Sequence, residues 1–172
     1  DTGTPEGTAT GPLVPVDLVL PPQAPNSSTS GCETADFAGF PAGGIALLQR
    51  GTCGFAVKAL NAQAAGATGV VIMNEGQPGR TGLLTMIGAA PGLTVPVVFA
   101  TFAAGSDLAA TPGATVTVTV DFAAETRTTV NVLAETRTGN DGNVVVAGAH
   151  LDGIQDGAGM SDNGGGAAAL LE

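Results

Sequence analysis

A chain of 172 residues suffices for one ordinary domain, or for one domain and part of a second, and 44% hydrophobic residues can supply a buried core. Lys and Arg number 5 against 15 Asp and Glu, which gives a formal charge of −10 at pH 7, and there is no Trp or Tyr. Phosphate backbones and anionic lipid would repel such a chain, stacking platforms for bases are scarce, and no apolar run approaches the ~20 residues of a membrane span, so neither nucleic acid nor a membrane is an expected partner.

In chain order, residues 1–12 are rich in Thr, Gly and Pro and are expected to be loosely held. LVPVDLVL at 13–20 has the β-branched character of a strand, and PPQAPNSSTSG at 21–31 has a loop composition. GGIALLQRG at 43–51 is a short apolar run bounded by glycines, hence a buried strand. FAVKALNAQAAG at 55–66 predicts a helix, with Phe55, Ala59, Ala62 and Ala65 on one face and Gly66 as its stop. Within it, Phe55 and Ala62 read as packing residues, and Lys58 reads as a solvated position or a local ion-pair partner. Arg50, before Gly51, is placed to hold a loop through carbonyl groups. GVVIMNEG at 69–76 is a second buried strand and VPVVFA at 95–100 a third, separated by a Gly- and Pro-bearing loop. TFAAGSDLAAT at 101–111 reads as a short helix with an internal glycine. In ATVTVTVDF at 114–122, Val116, Val118, Val120 and Phe122 alternate with polar residues, the pattern of a strand with one buried face.

After Phe122 the pattern changes. TTVNVLAETR at 128–137 reads as a strand, TGNDGN at 138–143 as a tight turn, and VVVAGA at 144–149 as a strand covered on both faces that leads directly into His150. GGGAAALLE at 164–172 is a Gly-rich turn entering a helix of about two turns with no stop signal, so the sequence is expected to be cut from something longer. The expected division is a small α/β domain over 1–124 and the opening of another over 125–172. Cys32 and Cys53 are either two small buried thiols or a bridge closing a loop of roughly 20 residues, the latter worth about 3 kcal/mol. An acidic, Lys-poor chain with an even number of cysteines suits an oxidising, secreted location.

GCETADFAGFPAGGIALLQRGTCGFAVKALNAQAAGATGVVIMNEG, from Gly31 to Gly76, has a Cys before an acidic DF segment, then QRGTC, Phe, Lys and a helix ending AAGATGVVI. With VPVV at 95–98 and the helix after it, this resembles a protease-associated (PA) domain over roughly 13–122. The resemblance implies a β-rich barrel with flanking helices, a Cys32–Cys53 bridge, no catalytic residue of its own, and service as a lid, a substrate-access wall or an interaction surface beside a peptidase.

The remainder, with NVLAE, VVVAGAHLDG and SDNGGGAAALLE, is similar to the opening of the co-catalytic zinc aminopeptidases, metallopeptidase family twenty-eight. That resemblance implies His150 as a ligand of one zinc, Asp162 as a bridge between two, and Asp152 as the catalytic-site carboxylate that orients the imidazole. Neutral imidazole and carboxylate oxygen are good zinc donors, and a carboxylate behind a histidine fixes its tautomer. The glycines of the loop, Gly157, Gly159 and Gly164 to Gly166, would let Asp162 return towards His150; Asp156 has no role in the pattern and Glu172 reads as a helix surface position. One departure is SDNGGG, where the family often has a Ser between the later glycines.

The fold class expected is therefore α/β (α+β), a PA domain followed by the first strands of a mixed α/β exopeptidase sheet. The implied function is that of a fragment of a secreted di-zinc aminopeptidase, with peptide or protein substrates. The fragment alone would be inactive, because the general base and further ligands of the family lie downstream. The remainder of the catalytic domain is its expected partner, with self-association through an exposed sheet edge as a consequence of its absence. The alternative is a non-catalytic PA-type interaction module.

Overall fold

The computed structural model describes residues 3–84, 87–122, 128–136, 138–140, 142–153 and 159–171. It separates into two compact units, Asp1–Glu125 and Thr126–Glu172.

The first unit is built on a five-stranded sheet. Its strands are β1 (Gly7–Pro15), β2 (Ile45–Gln49), β3 (Gly69–Met73), β4 (Val97–Ala100) and β5 (Thr115–Val120), in the spatial order β4-β3-β2-β1-β5. β4, β3, β2 and the end of β1 run parallel, while β5 lies antiparallel to the beginning of β1. Parallel neighbours need a crossover, and α1 (Phe55–Ala64) supplies the one between β2 and β3. A second helix, α2 (Phe102–Ala109), follows β4, and Thr34–Phe37 forms a 3-10 turn.

β2 and β3 are apolar at nearly every position because both faces of the sheet are covered. Ala46, Leu48, Val70 and Ile72 pack towards Ala59 and Ala62 of α1, with Val16, Phe37 and Val97. Their neighbours Ile45, Leu47, Val71 and Met73 pack on the other face with Leu13 and Val118, against Phe102 and Leu108 of α2. Alternation along β5 follows the same logic: Val118 is buried and the threonines beside it are exposed. Gly105 explains the glycine inside α2, since a Cβ there would stand 2.3 Å from Cβ of Met73. α1 ends as its sequence predicts. Gly66 takes φ +93°, and the N–H groups of Gly66 and Ala67 bond back to Gln63 and Ala62 at 3.0 Å each.

Two expectations for this unit are corrected. The N-terminal stretch is not loose: β1 begins at Gly7, and residues 7–12 pair with 115–120 along their whole length. Its Thr, Gly and Pro content hid a strand whose outer face is threonine; Thr10 and Thr117 hydroxyls meet at 2.8 Å across the pair. The strand then stops at Pro15, so 16–20 are not part of it.

Lys58 is the second correction, for it is fully buried and not solvated. Its Nζ donates to the carbonyl of Ser30. It sits among other buried polar groups that join the strand ends. The Ser30 hydroxyl accepts from Gln49 N at 3.0 Å, and the Gln49 amide bonds both Val19 N at 2.7 Å and the carbonyl of Glu75 at 3.2 Å. The Glu75 carboxylate, also buried, is held by Arg80 Nε at 2.7 Å and by Ser27 N at 3.1 Å. Cys32 and Cys53 form a disulfide.

Among its described residues the second unit contains an irregular turn, Met160–Gly164, and one short helix, α3 (Gly165–Ala169). The two strands expected over 128–137 and 144–149 are absent from the described residues. Val130, Val132, Leu133, Val145 and Val146 are all more than four-fifths exposed, Val145 at 91%. The reason is physical: an extended apolar segment becomes a strand only when another strand accepts its hydrogen bonds and another layer covers its face. Neither is present among the described residues of this unit. The turn after the first segment does form, with Asn143 N bonded to the Asn140 carbonyl at 2.9 Å.

Candidate metal centre

His150 lies at the end of the VVVAGA segment, and three acceptor groups surround its ring. On one side Nδ1 is 3.0 Å from the carbonyl oxygen of Asp152 and 3.1 Å from Asp152 Oδ1. On the other side Nε2 is 3.0 Å from Oδ1 of Asp162. The residue two positions on thus turns its backbone and its carboxylate to the same ring nitrogen. Asp162 arrives from the turn at Met160–Gly164, which Gly159 enters in the left-handed conformation at φ +65°. Asn163 Oδ1 accepts from Gly166 N at 3.1 Å and so ties that turn to α3.

The tautomer follows from the partners. A backbone carbonyl can only accept, so Nδ1 carries the proton, and a neutral ring then presents the bare lone pair of Nε2 to Asp162 Oδ1. Two lone pairs at that distance repel unless positive charge lies on or between them. A proton on Nε2 is one answer, and the His150 pKa is raised accordingly, first by the hydrogen bond to the Asp152 carbonyl; desolvation opposes the rise, and the Asp152 and Asp162 charges add to it. A divalent cation held by Nε2 and the Asp162 carboxylate is the other. The donor set suits zinc, with a borderline nitrogen, a hard oxygen and a carboxylate behind the imidazole.

The arrangement is open. The His150 side chain is half exposed, and those of Asp152 and Asp162 are more so. Among the described residues no three His, Cys, Asp or Glu side chains are grouped to hold a metal, because Asp152 occupies the far side of the ring and leaves two donors on the near side. The readings of Asp156, Gly157 and Glu172 lie outside the described residues. In the first unit, Arg50 Nη1 reaches an amide oxygen, Oδ1 of Asn74, at 3.4 Å. Its apolar cleft, about 430 Å³ between β4 and β5, is lined by Leu13, Val71, Val98, Leu108, Val116 and Val118 among others, with no titratable group. The buried cluster of Ser30, Gln49, Lys58 and Glu75 left no sequence signal, since isolated polar residues within apolar runs carry no periodicity.

Comparison with known proteins adds to this geometry. Residues 9–108 match the PA domain. The chain belongs to the PA domain family. Beyond the PA domain, residues 131–172 match Peptidase family M28, and that stretch contains His150, Asp152 and Asp162. An aminopeptidase of Pseudomonas aeruginosa is 51% identical over 171 residues, which is 98% of this chain and 32% of the relative. The Mycobacterium tuberculosis protein named "Probable lipoprotein aminopeptidase LpqL" is 39% identical over 176 residues, 99% of this chain and 32% of its own length. The chain therefore spans about a third of the curated relatives it matches. Among solved structures, BSAP, a zinc aminopeptidase from Bacillus subtilis, aligns with TM-score 0.44 and 28% identity over 64% of this chain and 23% of that one.

Proposed function

We propose that this chain is the front portion of a zinc aminopeptidase: a PA domain over 1–124 joined to the first part of the catalytic domain over 125–172. The observation that carries this reading is the placing of His150 Nε2 opposite Asp162 Oδ1 at 3.0 Å, with Asp152 behind the ring, inside the stretch that matches Peptidase family M28. The aminopeptidase relatives support it.

In this reading His150, through Nε2, and Asp162, through its carboxylate, would hold the zinc. Zinc supplies Lewis acidity towards the scissile carbonyl and a water at an amino-terminal peptide bond. The chain's own residues do the positioning. Asp152 holds the Nδ1 proton through two acceptors, which fixes the ring plane and keeps Nε2 available as a donor. The glycines of the turn allow the Asp162 carboxylate to approach the ring. The two donors here leave most positions around the ion open, so the chain by itself holds zinc weakly and does not turn over. The PA domain, which contributes none of the zinc donors, acts as a lid or an interaction surface for peptide and protein substrates. Exposed Val130, Val132, Val145 and Val146 await the rest of the catalytic domain, or pair with a second copy in its absence. The disulfide and the lipoprotein relative support a location outside the cytoplasm.

The test uses the whole enzyme encoded with this chain, assayed on aminoacyl anilides. His150→Ala and Asp162→Asn should each lower kcat/KM by about three orders of magnitude or more, and Asp152→Asn by about 10- to 100-fold. Wild-type turnover by either of the first two variants would refute the reading.

A further inference from the structure

The only lysine of the chain is enclosed in the first unit, and among the described residues no counter-ion touches it. Lys58 is fully buried, and among the described residues no carboxylate lies within ion-pair distance of it. What Nζ meets is the Ser30 carbonyl and, at 3.5 Å, the Sγ of Cys32. The charges that face it from farther off are Asp36 of the 3-10 turn, Glu75 after β3 and Asp17 after β1. A buried ammonium with dipoles alone for company is costly, and an anion at the place of the Cys32 sulfur would complete it.

The two ends of the disulfide are not equivalent. Both cysteines are partly exposed, and what distinguishes Cys32 is the ammonium beside its sulfur. Its sulfur has Lys58 Nζ on one side and Thr52 Oγ1 at 3.4 Å, and its carbonyl accepts from Asn61 Nδ2 at 3.0 Å. Cys53 is partly exposed, between the exposed residues Thr52 and Gly54 at the entrance to α1. A nucleophile reaches Cys53 from solvent, and the sulfur it expels is the one beside the ammonium.

We propose that Cys53 is a site of mixed-disulfide formation with small thiols, and that Lys58 directs the exchange by stabilising Cys32 as the departing thiolate. The balance is simple. An external thiolate forms a bond to Cys53 Sγ, the Cys32–Cys53 bond breaks, and its electron pair leaves on Cys32 Sγ as a thiolate paired with the Lys58 ammonium. No further oxidant is consumed. Exchange is faster when the leaving thiol is more acidic, and a neighbouring cation makes it so. The exchange unties the loop at 28–34 from the start of α1 and leaves it held by Lys58 and Asn61.

The experiment incubates the folded full chain with glutathione, alkylates free thiols rapidly with iodoacetamide, and locates both groups by peptide mass spectrometry. Glutathione should be found on Cys53 and the alkyl group on Cys32. Lys58→Arg, which keeps the charge, should exchange within about threefold of wild type, and Lys58→Met about tenfold or more slowly. Should Lys58→Met fail to fold, the position of the adduct in wild type and in Lys58→Arg decides alone. Glutathione on Cys32, an even distribution, or no exchange in the folded chain would each overturn the proposal, as would an undiminished rate in a folded Lys58→Met.

Discussion

The ammonium of Lys58 donates to the carbonyl of Ser30 from a position with no exposure to solvent. Burial pushes the Lys58 pKa down from 10.5 to about 8, against the opposing pull of Asp36, Glu75 and Asp17. A group whose pKa falls on folding binds fewer protons in the native state than in the unfolded chain at every pH between the two values. Stability should therefore rise as pH goes from about 8 towards 10.5, and the lysine should weigh on the fold below that window. Urea unfolding at pH 7.5, 9 and 10 checks this. The wild-type midpoint should climb with pH, and Lys58→Met should give a flatter profile. A wild-type midpoint that follows the same pH profile as the variant's would contradict the assignment.

Close contact between α2 and β3 makes a second outcome sharp. Gly105→Ala places a methyl group against Met73 and should cost about 1–3 kcal/mol, as overpacking does. Gly82→Ala faces open space without a positive φ and should remain within about 0.5 kcal/mol of wild type. Equal stability of the two variants by denaturant unfolding would mean that α2 does not pack as described.

The disulfide closes a loop with a sequence separation of 21 residues. Replacing both cysteines by serine should lower unfolding stability by about 3 kcal/mol through loop entropy, with the sheet retained. Circular dichroism and urea titration of the double variant provide the measurement, and a loss under about 1 kcal/mol would show that the hydrogen bonds of Lys58 and Asn61 already hold this loop.

How far the sequence could be read depended on where each signal came from. β2, α1 and β3 were legible because a short apolar run, a three- to four-residue spacing and a terminal glycine are local signals, and tertiary packing agrees with all of them. β1 is not legible over 7–12 because its strand character comes from β5, more than a hundred residues away, and not from its own composition. The burial of Lys58 was illegible for a similar reason: the carbonyl that receives it belongs to Ser30, 28 positions earlier in a loop without periodicity. In the second unit, apolar content over 128–137 and 144–149 signalled strands that need partners absent from the described residues. His150, Asp152 and Asp162 were singled out by spacing and family likeness. The two acceptors that Asp152 turns to the Nδ1–H, which set the tautomer, belong to the folded turn alone.

On the reading proposed above, Nε2 of His150 and the carboxylate of Asp162, 3.0 Å apart, share a cation. Nitrogen NMR of the His150 ring during zinc titration tests it most directly, with the chain's single histidine giving an unambiguous signal. Zinc should shift Nε2 while Nδ1 stays protonated on Asp152. Uptake should weaken as pH falls through the raised His150 pKa, and Asp162→Asn should weaken it by about tenfold or more. Coordination through Nδ1, or a ring that ignores millimolar zinc at a pH where it is neutral, would contradict the account.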